Sequence, residues 1–435
     1  MKFKFLSLFA VLVPMAAFAE DKLDSGNTAW MMISTALVLL MTPAGLALFY
    51  SGMTRSKNTL NTFAMVMGAF VLAMVLWIFA GYSIAFGASQ NATLQNAVGG
   101  LGNIMLDGIK WTDLSGSYPT YIFVVFQGTF AAIAVAIASG SVIGRMKFSS
   151  WLIFVALWGL IVYAPIAHMV WGGKGALLFD AGALDFAGGT VVHMNGGLAG
   201  LVLAVLVGKR TGYLKTAMKP YSVLLAAVGA ALLWFGWYGF NGGSAFGANA
   251  IAGLAVLTTT AGAAIGGAVW MLLEWIIFKK PTLLGIASGI VAGLVAITPA
   301  AGFVSVGGAF IIGAFGSIIA FLGVVWLKKK FGYDDSLDAF GIHFLAGLWG
   351  AIATGIFALE DKKLLWDGPL KESGNRMEQI FVQFESVVAV GLFTLIGTVI
   401  VYFIASALTG GARVDTRVEE IGLDETIHGE KAMNL

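Results

Sequence analysis

The chain has 435 residues, of which 59% are hydrophobic and only 11% charged, with a formal net charge of +2 and a mean hydropathy of +0.89. So few charges cannot solvate the surface of a water-soluble globule, and the near-neutral balance gives no grip on nucleic acid. Cysteine is absent, which excludes disulfides, thiolate metal sites and cysteine nucleophiles.

The chain opens with basic MKFKF, then apolar LSLFAVLVPMAAF, then Ala17-Phe18-Ala19 as a small-x-small cleavage pattern. That order reads as a secretory signal peptide. The apolar core is short and Glu20-Asp21 follows at once, which favours removal after Ala19 over retention as a first helix. The predicted division is therefore a signal peptide over 1–19, a transmembrane domain over 20–408 and a hydrophilic tail over 409–435. The mature N-terminus then begins outside the cell membrane, on the periplasmic side of the inner membrane in a Gram-negative cell.

Apolar stretches long enough to cross a bilayer as helices, ~20 residues each, recur down the chain. They predict eleven spans at 27–51, 60–86, 119–142, 150–171, 188–207, 221–241, 249–277, 283–299, 303–327, 340–358 and 379–408. The fold class is all-α integral membrane. An outside start and an odd count put the C-terminus in the cytoplasm. Positive charge supports this count. The inner loops carry Arg55 and Lys57, Arg145 and Lys147, Lys209 to Lys219, Lys279-Lys280 and Lys328 to Lys330. The outer loops carry little until 359–378, where both signs mix. Glycines repeat every fourth residue at Gly140-Gly144, Gly196-Gly200 and Gly285-Gly289-Gly293, a spacing that lets helices approach closely in lipid.

His193 and His343 stand in apolar, glycine-rich spans where an ionisable ring is costly. Each opens the same pattern, H-x-x-x-G-L-x-G, and each follows an aspartate, Asp185 or Asp335, by eight residues. One lies in the fifth span and the other in the tenth. This predicts two five-helix halves of opposite orientation, with both histidines near the midplane. There each ring could bond the other, one as donor and one as acceptor. No further histidine, cysteine or acid lies nearby in the spans to complete a metal shell. The pair reads better as a polar strip for a small polar molecule or a proton. Asp185 either caps the free N–H groups of GGTVVH or places negative charge near an outer cation site.

Aromatics cluster near span ends. Trp171 closes the fourth span, Phe126 and Phe130 are one helical turn apart in the third, and Phe240 and Ser244 share a side of the sixth. Aromatic faces attract cations by about 0.5–2 kcal/mol each. An interfacial aromatic belt would account for Trp171 alone, less well for a serine held among aromatics.

At these residues the chain resembles the Amt branch of the Amt/Rh ammonium transporters, and the bacterial AmtB-type proteins in particular. The carriers are ALFYSGMTRSKN (47–58), VFQGTFA (125–131), PIAHMVWGG (165–173), ALDFAGGTVVHMNGG (183–197), WYGFNGGSA (237–245), VGGA (306–309), DAFGIH (338–343) and EEIGLDETIHGE (419–430). The resemblance implies an eleven-helix inverted repeat assembled as a homotrimer with one pore per subunit. It implies an outer ammonium site at Trp171, Phe126 and Ser244, and a phenyl gate of Phe130 and Phe240. It assigns His193 and His343 to the pore and proton path, and Asp185 to ammonium binding, deprotonation or support. Tyr163, His168 and Trp237 match the vestibule and its packing. The tail resembles a segment that helps dock a PII-type signalling protein. Tyr238 stands where relatives often have phenylalanine, and loop 359–378 is more charged than expected of an outer loop.

The physics agrees with that assignment. Ammonium can donate hydrogen bonds and lose a proton, whereas potassium can do neither. A narrow apolar pore rejects an ion that cannot shed its charge, and ammonia can pass as the neutral species, its proton either staying outside or following along a histidine-linked path. Three other readings compete: an ammonium sensor working through the tail, a Rh-like neutral gas channel for carbon dioxide, and an enzyme. The tail carries no kinase or cyclase domain, Trp171 argues against the gas channel, and no nucleophile–base pair, metal cluster or GxxxxGK[ST] loop is present. No cofactor is expected.

Overall fold

The computed structural model describes residues 22–432 apart from 90 and 366–367; the expected signal peptide, 1–19, lies outside them. Among the described residues eleven apolar helices follow one another, here α1 (Ser25–Met53), α2 (Ser56–Phe86), α3 (Thr120–Ser139), α4 (Phe148–Trp171), α5 (Gly189–Val207), α6 (Val223–Gly243), α7 (Ala250–Phe278), α8 (Leu283–Ile297), α9 (Val306–Phe331), α10 (Phe340–Phe357) and α11 (Arg376–Leu408). Ten are long and apolar enough to cross a membrane, and α8 is a shorter apolar helix of 15 residues. Each coincides with a predicted span, and the ends differ by a few residues. Helix α3 stops at Ser139, and the chain then turns through Gly144, whose φ is +81°. Helix α9 starts at Val306, where Ser305 Oγ accepts the Gly308 N–H at 3.2 Å.

Lipid offers no hydrophobic drive for helix association, so close backbone approach must hold the bundle. The glycine face of α8 does this against α7. A Cβ on Gly266 would lie 2.5 Å from the Gly289 carbonyl oxygen and 2.8 Å from the Gly293 Cα. Across α3 and α5, a Cβ on Gly196 would lie 2.4 Å from the Ala134 carbonyl oxygen. The fourfold spacing of the glycines thus marks helix contacts.

Two features tie the loops to the bundle. Between α2 and α3 a small hairpin pairs Leu114–Ser115 with Tyr118–Pro119. At the end of α10, Arg376 Nη1 donates to the carbonyls of Gly355 and Ala358 at 3.3 and 2.5 Å, and Nη2 pairs with Glu360 at 3.3 Å. Charge in loop 359–378 therefore caps a helix C-terminus, where cations are favoured.

The basic loops meet the tail on one face. Glu419 is buried, accepting the Thr211 N–H at 2.7 Å and pairing with Arg413 at 2.8 Å. Lys57 Nζ donates to the Glu419 carbonyl at 2.9 Å and to that of Glu420. Asp424 takes the Leu60 and Asn61 N–H groups at 3.0 and 2.8 Å, capping the first turns of α2.

Gly266→Leu should force α7 from α8 and cost about 1–3 kcal/mol, as overpacking does. Thermal melting in detergent should show it, with Gly253→Ala, which points into open space, melting like the parent.

Candidate functional site

The site is built where the two halves cross. Helices α5 and α10 each begin with a six-residue π-helical turn, Gly189–Met194 and Phe340–Leu345, and each turn carries its histidine. A start inside the protein leaves N–H groups without partners. A buried aspartate supplies them in both halves. Asp185 accepts from the Gly188, Gly189, Thr190 and Val191 N–H groups at 2.6–3.1 Å and from Thr190 Oγ1 at 2.5 Å. Asp335 accepts from Ala339 N at 3.2 Å, Phe340 N at 2.8 Å and Ser141 Oγ at 2.7 Å. Burial pushes the Asp185 carboxyl above the usual carboxylate range, and these hydrogen bonds draw it back. A carboxylate offers about four lone-pair positions, and five donors already occupy those of Asp185.

The glycine of each H-x-x-x-G pattern lies at the crossing. A Cβ on Gly197 would sit 2.5 Å from Phe344 N, and one on Gly347 would sit 3.0 Å from the Gly189 carbonyl oxygen. The closeness brings the rings together. His193 Nδ1 and His343 Nδ1 are 3.3 Å apart, with planes 15° from parallel. One nitrogen donates and the other accepts, so the pair holds opposite tautomers in its neutral form. His193 Nε2 is buried with no protein partner. Trp237 stacks on His193 at 5.1 Å and is fixed by its own bond to Thr298 Oγ1 at 2.8 Å.

Above the pair, Phe130 and Phe240 stack face to face, with centroids 4.0 Å apart and planes 13° from parallel. Beyond them opens a cavity of about 190 Å³ whose walls include Phe130, Trp171, Ser244, Gln127, Phe123 and Phe246. Trp171 meets the Phe130 edge at 6.2 Å, and its Nε1 donates to the Asp185 carbonyl at 2.8 Å. Ser244 Oγ donates to the Phe240 carbonyl at 2.8 Å, which leaves its lone pairs to accept.

The structure thus brings Trp171, Ser244, Phe130, Phe240, His193 and His343 into one line. Phe126 is fully buried behind Phe130, at 4.8 Å, and is not a lining residue of the cavity. His168 lies away from it. Its ring nitrogens lie 2.8 and 2.7 Å from the Ala85 and Gln95 carbonyl oxygens, and the ring sits between α4, α2 and the following loop. Tyr163 packs edge-on against Trp77 at 6.1 Å. Tyr238 bonds Thr260 on α7 at 3.0 Å, off the path. Sequence reasoning missed Gln127, Phe123 and Phe246. The helical spacing of Phe123, Gln127 and Phe130, at i, i+4 and i+7, is the signal that could have found the first two.

Comparison with known proteins fits this geometry. Residues 29–433 match the Ammonium Transporter Family. An ammonium transporter of Aquifex aeolicus is 46% identical, over 98% of this chain and 98% of its own length. One from Bacillus subtilis is 45% identical, over 94% and 99%. The crystal structure of Saccharomyces cerevisiae Mep2 shares the fold with a TM-score of 0.81 at 33% identity, covering 94% of this chain and 93% of that one. With family match, full-length relatives and shared architecture in agreement, the chain belongs to the ammonium transporter family.

Proposed function

We propose that the protein carries ammonium across the membrane by recruiting the cation in the aromatic cavity and passing ammonia between the two histidines. The observation that carries this is the 3.3 Å imidazole pair lying directly behind the stacked phenyl rings. Trp171 and Phe130 offer π faces and Ser244 an accepting oxygen. Phe126 backs the aromatic wall. An apolar conduit beyond the gate penalises any species that stays charged. Ammonium releases one proton to water in the cavity, that proton crosses separately along the histidine pair, and ammonia hydrogen-bonds His193 and His343 on the way through. Asp185 positions the α5 start and, through its backbone carbonyl, Trp171. Its saturated carboxylate supports the site and takes no proton from substrate. Tyr163, His168 and Trp237 hold the surrounding helices in place.

The division of labour follows the sequence reading. Residues 1–19 are a signal peptide, 20–408 the transporter domain and 409–435 a cytoplasmic regulatory tail. The cavity faces outward and the basic loops face the cytoplasm, from the inner membrane of a Gram-negative cell. The chain works as a homotrimer and performs no covalent catalysis. The tail, lying on the inner loops, is the proposed landing point for a PII-type protein.

Currents on solid-supported membranes test the transport step. An ammonium pulse should give a saturable current, and His193→Ala combined with His343→Ala should abolish it; a wild-type current in the double variant removes the pair from the path. Trp171→Leu should raise half-saturation for ammonium roughly 2- to 30-fold, the equivalent of one cation–π contact, and weaken discrimination against potassium. Unchanged selectivity would leave the indole as part of the interfacial belt. Deletion from Arg413 onward should abolish PII capture in a pull-down, and retained capture would move the docking surface to the inner loops.

A further inference from the structure

Gln127 is a polar side chain on an apolar helix. Its neighbours on α3 are Val125, Phe126 and Gly128, and it is only 4% exposed. Its Oε1 is buried and has no hydrogen-bond partner. Leaving a buried amide oxygen unpaired is costly, so such an atom calls for a ligand or water. The residue lies on the same helical face as Phe123 and Phe130, and all three line the outer cavity beside Trp171 and Ser244.

We propose that Gln127 is a substrate-positioning residue, whose amide oxygen accepts a hydrogen bond from ammonium held on the aromatic wall. The inference rests on the transport reading above and deepens it. Ammonium carries four N–H donors. The Ser244 hydroxyl spends its hydrogen on the Phe240 carbonyl and can only accept. Gln127 supplies a second acceptor, and the π faces of Phe130 and Trp171 take the remaining charge. A side-chain amide suits the task for two reasons. It is neutral, so it adds no field that would trap every cation alike. It also has two lone pairs on one oxygen, so the acceptor survives small movements of the guest. Two oxygens among rings satisfy a donor of directed hydrogen bonds. They fall short of the oxygen shell that potassium requires to leave water. Gln127 is therefore a selectivity residue as well as an anchor. Methylammonium must also turn its methyl group toward the rings and away from both oxygens, so fewer of its orientations use the second acceptor.

The test compares ammonium and methylammonium currents in proteoliposomes for the parent, Gln127→Leu and Gln127→Glu. Leucine keeps the bulk and removes the acceptor. Its half-saturation for ammonium should rise tenfold or more, the loss should sit in half-saturation rather than in maximal current, and the gap between the two substrates should narrow. Glutamate keeps an acceptor and adds charge. Its half-saturation for ammonium should stay at or below that of the parent, with potassium now competing. A purely structural glutamine would instead lower maximal current in both variants and leave the substrate ratio fixed, which overturns the proposal. Equal half-saturation in all three proteins also overturns it while the transport reading stands. Absence of a saturable ammonium current in the parent would instead sink the transport reading and this inference together.

Discussion

Two imidazoles held 3.3 Å apart inside an apolar bundle set the demands on everything around them. Neither ring can be left without partners in so dry a setting, and neither can reach the other unless two helix backbones nearly touch. The glycines at 197 and 347 permit that approach. The approach in turn requires α5 and α10 to start within the protein, and a helix that starts away from water needs its N–H groups satisfied. Asp185 and Asp335 satisfy them. One pair of side chains thereby explains the glycine, the aspartate and the spacing between them.

The same aspartate links pore and mouth. Asp185 holds the α5 turn with its carboxylate and the Trp171 indole with its backbone carbonyl. The aromatic wall and the histidine below it are therefore set by one residue, and their relative height is fixed by short, directional bonds. The stacked rings of Phe130 and Phe240 stand between the two, in van der Waals contact, so the dry section begins immediately behind the cavity.

Much of this was legible in the chain. Span positions follow from runs of apolar residues. The inverted halves were visible as a repeated eight-residue pattern and a shared aspartate offset. The histidine pair could be anticipated because an ionisable residue in lipid needs a reason. The cavity wall was less legible. Phe246 lies in a loop after α6, with a φ of +53°, and nothing local says that this loop folds back over α3. Gln127 sits in a run that reads as apolar helix, and one amide barely alters the periodicity. The docking of the tail was hidden for a different reason. Asp424 caps a helix whose start lies more than 360 positions earlier, a contact that only the closed fold can create. Phe126, by contrast, shared a helix face with Phe130 in the sequence, yet in the structure it stands one layer back.

The two halves also differ at one matched point. Three residues after each aspartate the backbone turns left-handed, at Gly188 with φ +104° and at Asp338 with φ +63°. At Gly188 a side chain would strike Val192 at 2.6 Å and crowd the Trp171 ring at 3.3 Å, so only glycine fits. At Asp338 the milder angle tolerates an acidic residue, and its carboxylate pairs with Lys328 at 2.5 Å. A duplicated scaffold gives two identical ends unless something breaks the likeness. Here the break falls on a hinge that both copies must keep, so one mouth can accept an indole and the other an ion pair without disturbing the frame they share.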